Sequence, residues 1–140
     1  MDTELVKLIL KNRNENKLKT KEELQEEIKY KVVDIYGEFI DFEPNKENVY
    51  ETLEKLEQYR YCENISELKK GDYIRFINTK HFYDIKLNKG GFIENINGKL
   101  INIVSGNKFY KIKFDNNTIF VKLTDEDLLK LELLEILEKN

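Results

Sequence analysis

The sequence predicts an α+β fold, a small antiparallel β-barrel with helices before it and one helix after it. Three observations predict this. From Leu68 to Leu123, short runs rich in β-branched and aromatic residues alternate with glycine and asparagine turns. On either side of that stretch, apolar residues recur at helical spacing. The 140 residues suit one domain, or a compact β module with a helical attachment. The expected division is residues 1–67 helical, 68–123 barrel, and 124–140 a closing helix packed on the rest.

Asp2-Thr3-Glu4 opens a short first helix, its acids near the positive end of the helix dipole. Leu5, Val6, Leu8, Ile9 and Leu10 spread over an arc too wide for a lightly packed surface helix, so packing on the domain or on another chain is expected. Asn12 to Lys19 is polar and aperiodic, a loop. Thr20-Lys21-Glu22-Glu23 is a capping box. The helix behind it carries Leu24, Ile28, Val32 and Ile35 on one stripe, with Gly37 as its expected stop. Glu38 to Phe42 alternates as a short strand would. Pro44-Asn45 then caps a third helix marked by Val49, Leu53 and Leu56. A helix, a strand and a helix could make a winged-helix-like unit. Glu47, Glu51, Glu54 and Glu57 give the third helix the wrong charge for a recognition helix, and it reads as a support. Tyr59, Tyr61 and Cys62 lead from it into the barrel.

Tyr73 to Ile77 is the first barrel strand, with Ile74 and Phe76 on one face and Tyr73 and Arg75 on the other. Asn78 to Lys89 is a longer connection, its middle Phe82 to Leu87 extended. Gly90-Gly91 permits a sharp bend or bulge. Phe92 to Ile96 and Leu100 to Val104 form a hairpin around Asn97-Gly98, read as a type I′ turn, and Gly106-Asn107 makes a second two-residue turn. In Phe109 to Phe114, Tyr110, Ile112 and Phe114 oppose Phe109, Lys111 and Lys113. Asp115-Asn116-Asn117 turns into Thr118 to Lys122. About five short strands joined this way suit an SH3-like or Tudor-like barrel, with an open meander backed by helices as the alternative. Thr124-Asp125-Glu126-Asp127 caps the final helix. Its leucines point nearly all round, so it is either sandwiched within the protein or offers Leu129, Leu133 and Ile136 to a partner.

Composition bounds the function. Net charge is −3, but from Lys69 to Lys122 there are 11 basic residues against 4 acidic ones, while the remainder holds 13 against 23. Such segregation serves polyanion binding, or attraction between the two parts of the protein. No signal peptide is expected, and no apolar run approaches the roughly 20 residues of a membrane span, so a soluble intracellular protein without membrane contact is predicted. Cys62 is the only cysteine and His81 the only histidine, which rules out a His/Cys metal cluster and leaves no supported catalytic pair. The glycines form neither a Walker loop nor a dinucleotide fingerprint. No cofactor and no enzymatic activity are expected.

What the barrel does offer is Arg75, Lys80, Lys86, Lys89, Lys99, Lys108, Lys111 and Lys113 interleaved with Tyr73, Phe82, Tyr83, Phe92, Phe109 and Tyr110. Aromatic stacking with phosphate neutralisation is how small barrels hold single strands, and Tyr73, Arg75, Lys80, Lys108, Phe109, Lys111 and Lys113 are the candidate contacts to RNA or single-stranded DNA. The plainer alternative puts the aromatics in the core, with lysines guarding edge strands. A third arrangement is an aromatic cage for a cation, made by Tyr73, Phe92 and Tyr110.

Gly71-Asp72-Tyr73-Ile74-Arg75-Phe76-Ile77-Asn78, the later Gly90-Gly91, and Thr118-Ile119-Phe120-Val121-Lys122-Leu123-Thr124 before a leucine-rich helix resemble a group of uncharacterised proteins of nucleocytoplasmic large DNA viruses. Leu18-Lys19-Thr20-Lys21-Glu22-Glu23-Leu24 is similar to a segment of the same group. The resemblance implies a viral protein of the host cytoplasm or the virion, and brings no catalytic residues with it. Gly71-Asp72-x-Ile74 with Gly90-Gly91 is more loosely similar to KOW and Tudor modules, which bind RNA, protein tails or polymerase partners. Nucleic acid is therefore one expected partner. A viral protein or a second copy of the chain, held by the apolar faces of the first and last helices, is the other.

Overall fold

The computed structural model describes residues 3, 4, 6–8, 19–39, 46–80 and 85–139. The loop expected before Lys19, the Pro44-Asn45 cap and His81 lie outside these, as does most of the apolar set of the first helix, of which residues 3, 4 and 6–8 are helical. Helix α1 (Lys21–Phe39) starts at the predicted capping box: Thr20 Oγ1 accepts from the Glu23 amide and Glu23 Oε1 from the Thr20 amide, both at 3.1 Å. It runs through Gly37 instead of stopping there, and so takes in the first two residues of the expected strand. One helical glycine costs about 1 kcal/mol, less than the burial of Ile35 and Tyr36 in the turn before it returns. Helix α2 (Lys46–Lys55) buries Val49 and Thr52.

Among the described residues, six strands make one antiparallel sheet: β1 (Tyr59–Cys62), β2 (Tyr73–Asn78), β3 (Gly91–Asn97), β4 (Leu100–Ser105), β5 (Lys108–Lys113) and β6 (Asn117–Lys122), in the order β1-β6-β2-β3-β4-β5. Five strands were expected; the sixth, β1, comes from the segment assigned to the helical region. A 3₁₀ turn at Phe114–Asn116 returns the chain so that β6 lies between β1 and β2. Both hairpin loops have two residues and begin with a glycine at positive φ, Gly98 at 64° and Gly106 at 63°. The first loop is Gly98-Lys99, one residue later than expected, because pairing Asn97 with Leu100 sets Ile96 opposite Ile101. The earlier register would set Ile96 against a lysine.

The sheet is apolar on both sides. Ile119 and Val121 of β6 point into an inner cluster with Ile74, Ile93, Ile101 and Ile103. Phe120, between them, points the other way, into a cluster with Ile28 and Val32 of α1, Val49 of α2, Tyr59 of β1 and Ile77 of β2. The joint between β2 and β3 is narrow, with Tyr73 opposite Phe92 and Ile74 opposite Gly91. Two further backbone bonds of 2.8 Å, Gly71 N to Ile93 O and Ile93 N to Asp72 O, extend it. Both glycines there are required by close approach. A Cβ on Gly90 (φ 74°) would lie 1.7 Å from Ile74 O, and one on Gly91 would lie 2.4 Å from Val104 O.

Helix α3 (Asp125–Lys139) has its own capping box, with Thr124 Oγ1 accepting from the Asp127 amide at 3.1 Å and Asp127 Oδ2 from the Thr124 amide at 2.9 Å. Leu133 and Leu134 form a small apolar cluster with Leu137. Leu133, expected as a partner contact, is therefore buried within the chain, whereas Leu129 and Ile136 are 47% and 41% exposed. No described helix is long and apolar enough to cross a membrane.

Candidate nucleic-acid interface

Residues opposite one another in an antiparallel pair share a face of the sheet. Tyr73 stands opposite Phe92, Phe92 opposite Val104, and Val104 opposite Phe109. At the other end Tyr59 stands opposite Lys122, and the pairing of Ile74 with Val121 sets Lys122 beside Tyr73. Tyr59, Lys122, Tyr73, Phe92, Val104 and Phe109 thus form one row across all six strands.

The row changes character along its length. Tyr59 is buried beneath the helices; burial, with a smaller contribution from Tyr73, raises its phenol pKa, and Arg75 opposes the rise. Tyr73 is half-buried, its hydroxyl donating to Lys89 O at 3.0 Å. Its ring meets Phe92 edge-to-face, centroids 5.0 Å apart, and Lys122 Nζ lies 5.9 Å from its centroid. Phe92 and Phe109 are 56% and 71% exposed.

Beside this row the same face carries two more. Asn95 stands opposite Asn102 and Asn102 opposite Lys111; Asn97 stands opposite Leu100 and Leu100 opposite Lys113. A register shift between Ile93 and Asn95 leaves Glu94 as the extra residue of a bulge. The bare half of the face is therefore an apolar and aromatic line with amides and exposed lysines next to it. Rings at this spacing can stack bases while the ammonium groups meet phosphates.

Of the expected contacts, Tyr73, Phe109, Lys111 and Lys113 come together here. Arg75 shares the face of Tyr73 but is half-buried, its Nε donating to Asn88 O at 3.0 Å, so it braces the connection between β2 and β3. Lys80 lies past the far end of β2, roughly 20 Å from Tyr73 along an extended strand. Lys108 stands opposite Ser105, on the other face from Phe109. Tyr110 stands opposite Ile103 on that inner side, so a cage of Tyr73, Phe92 and Tyr110 does not assemble. Lys99, named among the interleaved lysines, is paired with Asp115 at 3.0 Å.

Sequence reasoning missed Lys122, Val104 and the two asparagines as members of this face. The Gly106-Asn107 loop was enough to set Val104 beside Phe109; no local signal joins Lys122 to Tyr73. The buried Cys62 thiol donates to Asn64 O at 3.1 Å, and burial, reinforced by Glu67, pushes its pKa up to about 12, which disfavours the thiolate. Comparison with protein-family models, curated proteins and solved structures finds no match for this chain.

Proposed function

We propose that this chain is a non-enzymatic module that binds unpaired nucleic acid across the bare half of its sheet. The observation that carries the reading is the Tyr73–Phe92–Val104–Phe109 line, exposed at its β5 end, with Lys122 and Lys111 on the same face. Single strands are held by stacking on aromatic rings and by cations that follow the backbone, and a row perpendicular to the strands suits both. The hairpins β3–β4 and β4–β5, the 3₁₀ turn and the return of β6 to β2 support an SH3-like barrel built from β2 to β6, with β1 added at its edge. The resemblance to the viral group supports a setting in viral gene expression or genome packaging, in the host cytoplasm or the virion.

Fluorescence anisotropy with labelled single- and double-stranded RNA and DNA, at low and physiological salt, tests the reading. The expected result is tighter binding of single strands, weakening as salt rises. Charge reversal of Lys111 and Lys113 abolishes it. No binding even at low salt overturns the proposal.

A second reading has one observation in its favour: Leu129 and Ile136 of α3 are exposed. In that reading the chain is an adaptor or virion component held by this helix. Self-association that is insensitive to salt and is lost in Leu129→Glu would support it.

A further inference from the structure

We infer that the free edge of β5 accepts an extended segment of a partner protein as an additional strand, and that in this segment acidic residues alternate with apolar ones. The inference uses a strand edge and a cleft to which the nucleic-acid reading gives no role. Among the described residues, β5 pairs with β4 alone and ends the sheet. One bond fixes the direction of its backbone groups. Phe114 N donates to Lys99 O at 2.9 Å, and bonded and unbonded pairs alternate along an antiparallel ladder. Lys113, Lys111 and Phe109 therefore stand in unbonded pairs with β4 and turn their N–H and C=O groups toward the edge. Lys113 O accepts from Asn117 Nδ2 at 2.8 Å. That leaves three N–H and two C=O groups in line for a neighbouring strand, the main-chain half of strand addition.

A cleft of about 440 Å³ lies along this edge, within the usual range of ligand clefts. Its β5 wall is Tyr110, Lys111 and Ile112, consecutive residues from both faces, which sets it beside the strand and not beneath one face. The opposite wall includes Phe76, Asn88 and Lys89. Hydrogen bonds hold that wall to β2: Asn88 N and Nδ2 donate to Phe76 O at 2.9 and 3.1 Å, Arg75 Nε to Asn88 O at 3.0 Å, and Tyr73 Oη to Lys89 O at 3.0 Å. The inner apolar layer ends here incompletely covered, with Phe76 and Ile112 half-buried and Tyr110 44% exposed. A strand added to β5 would point every second side chain toward Phe76, Tyr110 and Ile112, and the others onto the outer face.

Charge selects the occupant. On the outer face the neighbours of the added side chains are Phe109, Lys111 and Lys113, and Lys89 lines the cleft. Residues 105–113 contain no acid. A second copy of β5 would set lysines beside lysines, which is destabilising, and a neutral strand gains nothing from them. Edge lysines exclude like strands for this reason. Glutamates or aspartates opposite Lys111 and Lys113 meet attraction at both positions, and the apolar residue between them enters the cleft.

The test is anisotropy titration with labelled strand-length peptides, in buffer without nucleic acid. The first peptide alternates glutamate and valine, the second lysine and valine, the third glutamate and serine. The first is expected to bind about tenfold more tightly than either of the others, through charge in one case and through the cleft in the other. Methylating the amide nitrogens of one alternate set of its residues should abolish binding, and methylating the other set should leave it, because only one set faces β5. Lys111→Pro removes an outward N–H without breaking a bond to β4. It should weaken binding about tenfold, against about threefold for Lys111→Gln, which removes the charge alone. No binding of the glutamate–valine peptide, or binding no tighter than that of the lysine–valine peptide, overturns the inference. Binding that ignores methylation, or falls equally with either set, overturns it as well, since charge attraction without strand pairing would then explain it. A dimer seen by sedimentation without peptide, and lost in Lys111→Pro, replaces the partner strand by a second copy and overturns it too. With no nucleic acid present, none of these outcomes bears on the nucleic-acid reading.

Discussion

Phe120 and Phe109 stand on the same side of one sheet, yet the first is fully buried and the second is 71% exposed. Where β1, β6 and β2 present that side, α1 and α2 cover it, and Tyr59, Phe120 and Ile77 are core. Where β3, β4 and β5 present it, Phe92 and Phe109 face water next to Lys111 and Lys113. Strand alternation is as good in one half as in the other, so period alone does not distinguish core from platform. Coverage does, and charge follows it: α1 and α2 together hold nine acidic residues against five basic ones, while residues 91–113 hold four basic residues against one acidic. The uncovered Phe92 and Phe109, with the lysines beside them, are the surface that the proposed single-strand contact would use.

The hardest way to break the comparison is at the joint between the halves. Gly90→Ala drives a Cβ into the Ile74 carbonyl, and the expected loss is more than about 5 kcal/mol, enough to unfold a domain of this size. Urea unfolding followed by near-ultraviolet circular dichroism checks it; near-wild-type stability would show that the joint can open without cost.

Next comes the pair of phenylalanines. Phe120→Ala should cost about 3–5 kcal/mol of stability, and Phe109→Ala less than about 0.5 kcal/mol. For binding the order reverses: Phe109→Ala should cost about 1–3 kcal/mol of single-strand affinity. Equal stability losses at the two positions would erase the distinction between the halves.

A pH titration examines the inner layer that both halves share. The folded Cys62 thiol is raised from 9.0 to about 12, so the folded state holds the proton more tightly than the unfolded chain does. Its contribution is fully present below pH 9 and is lost as pH rises toward 12. Cys62→Ala should flatten the fall in stability across that window. A curve of unchanged shape would assign the fall to other groups.

The smallest effect sharpens the comparison from the covered side. Thr20→Ala removes the cap of α1 and should cost about 1 kcal/mol of stability. Single-strand affinity should not change, because α1 covers only the other half of the face.

What the sequence disclosed was what is local. The capping box at Thr20, the glycine-led loop at Gly106 and the alternation of Ile74 and Phe76 against Tyr73 and Arg75 each depend on residues a few positions apart. What it concealed depends on distant neighbours. Nothing near Tyr59 announces that Lys122 pairs with it, and nothing near Tyr73 names Phe92 as its partner. Glu94 reads as an ordinary strand residue until the cross-strand pairing of Ile93 and Asn95 reveals the bulge. Gly37 read as a stop because helix-ending glycines are common, whereas here burial of the preceding turn carried the helix past it.

The place of β1 beside β6 has a consequence for how the protein is made. Tyr59 is translated roughly sixty residues before Lys122, the residue it faces. At ribosomal speeds that interval is on the order of several seconds. Throughout it, α1, α2 and β1 exist without Phe120, the side chain that fills the space between them. A nascent chain halted before Asn117 lacks β6, the strand that joins β1 to β2, and leaves the apolar side of α1 and α2 without Phe120. Chaperones and aggregation would compete for that side until the last strand emerges to close it.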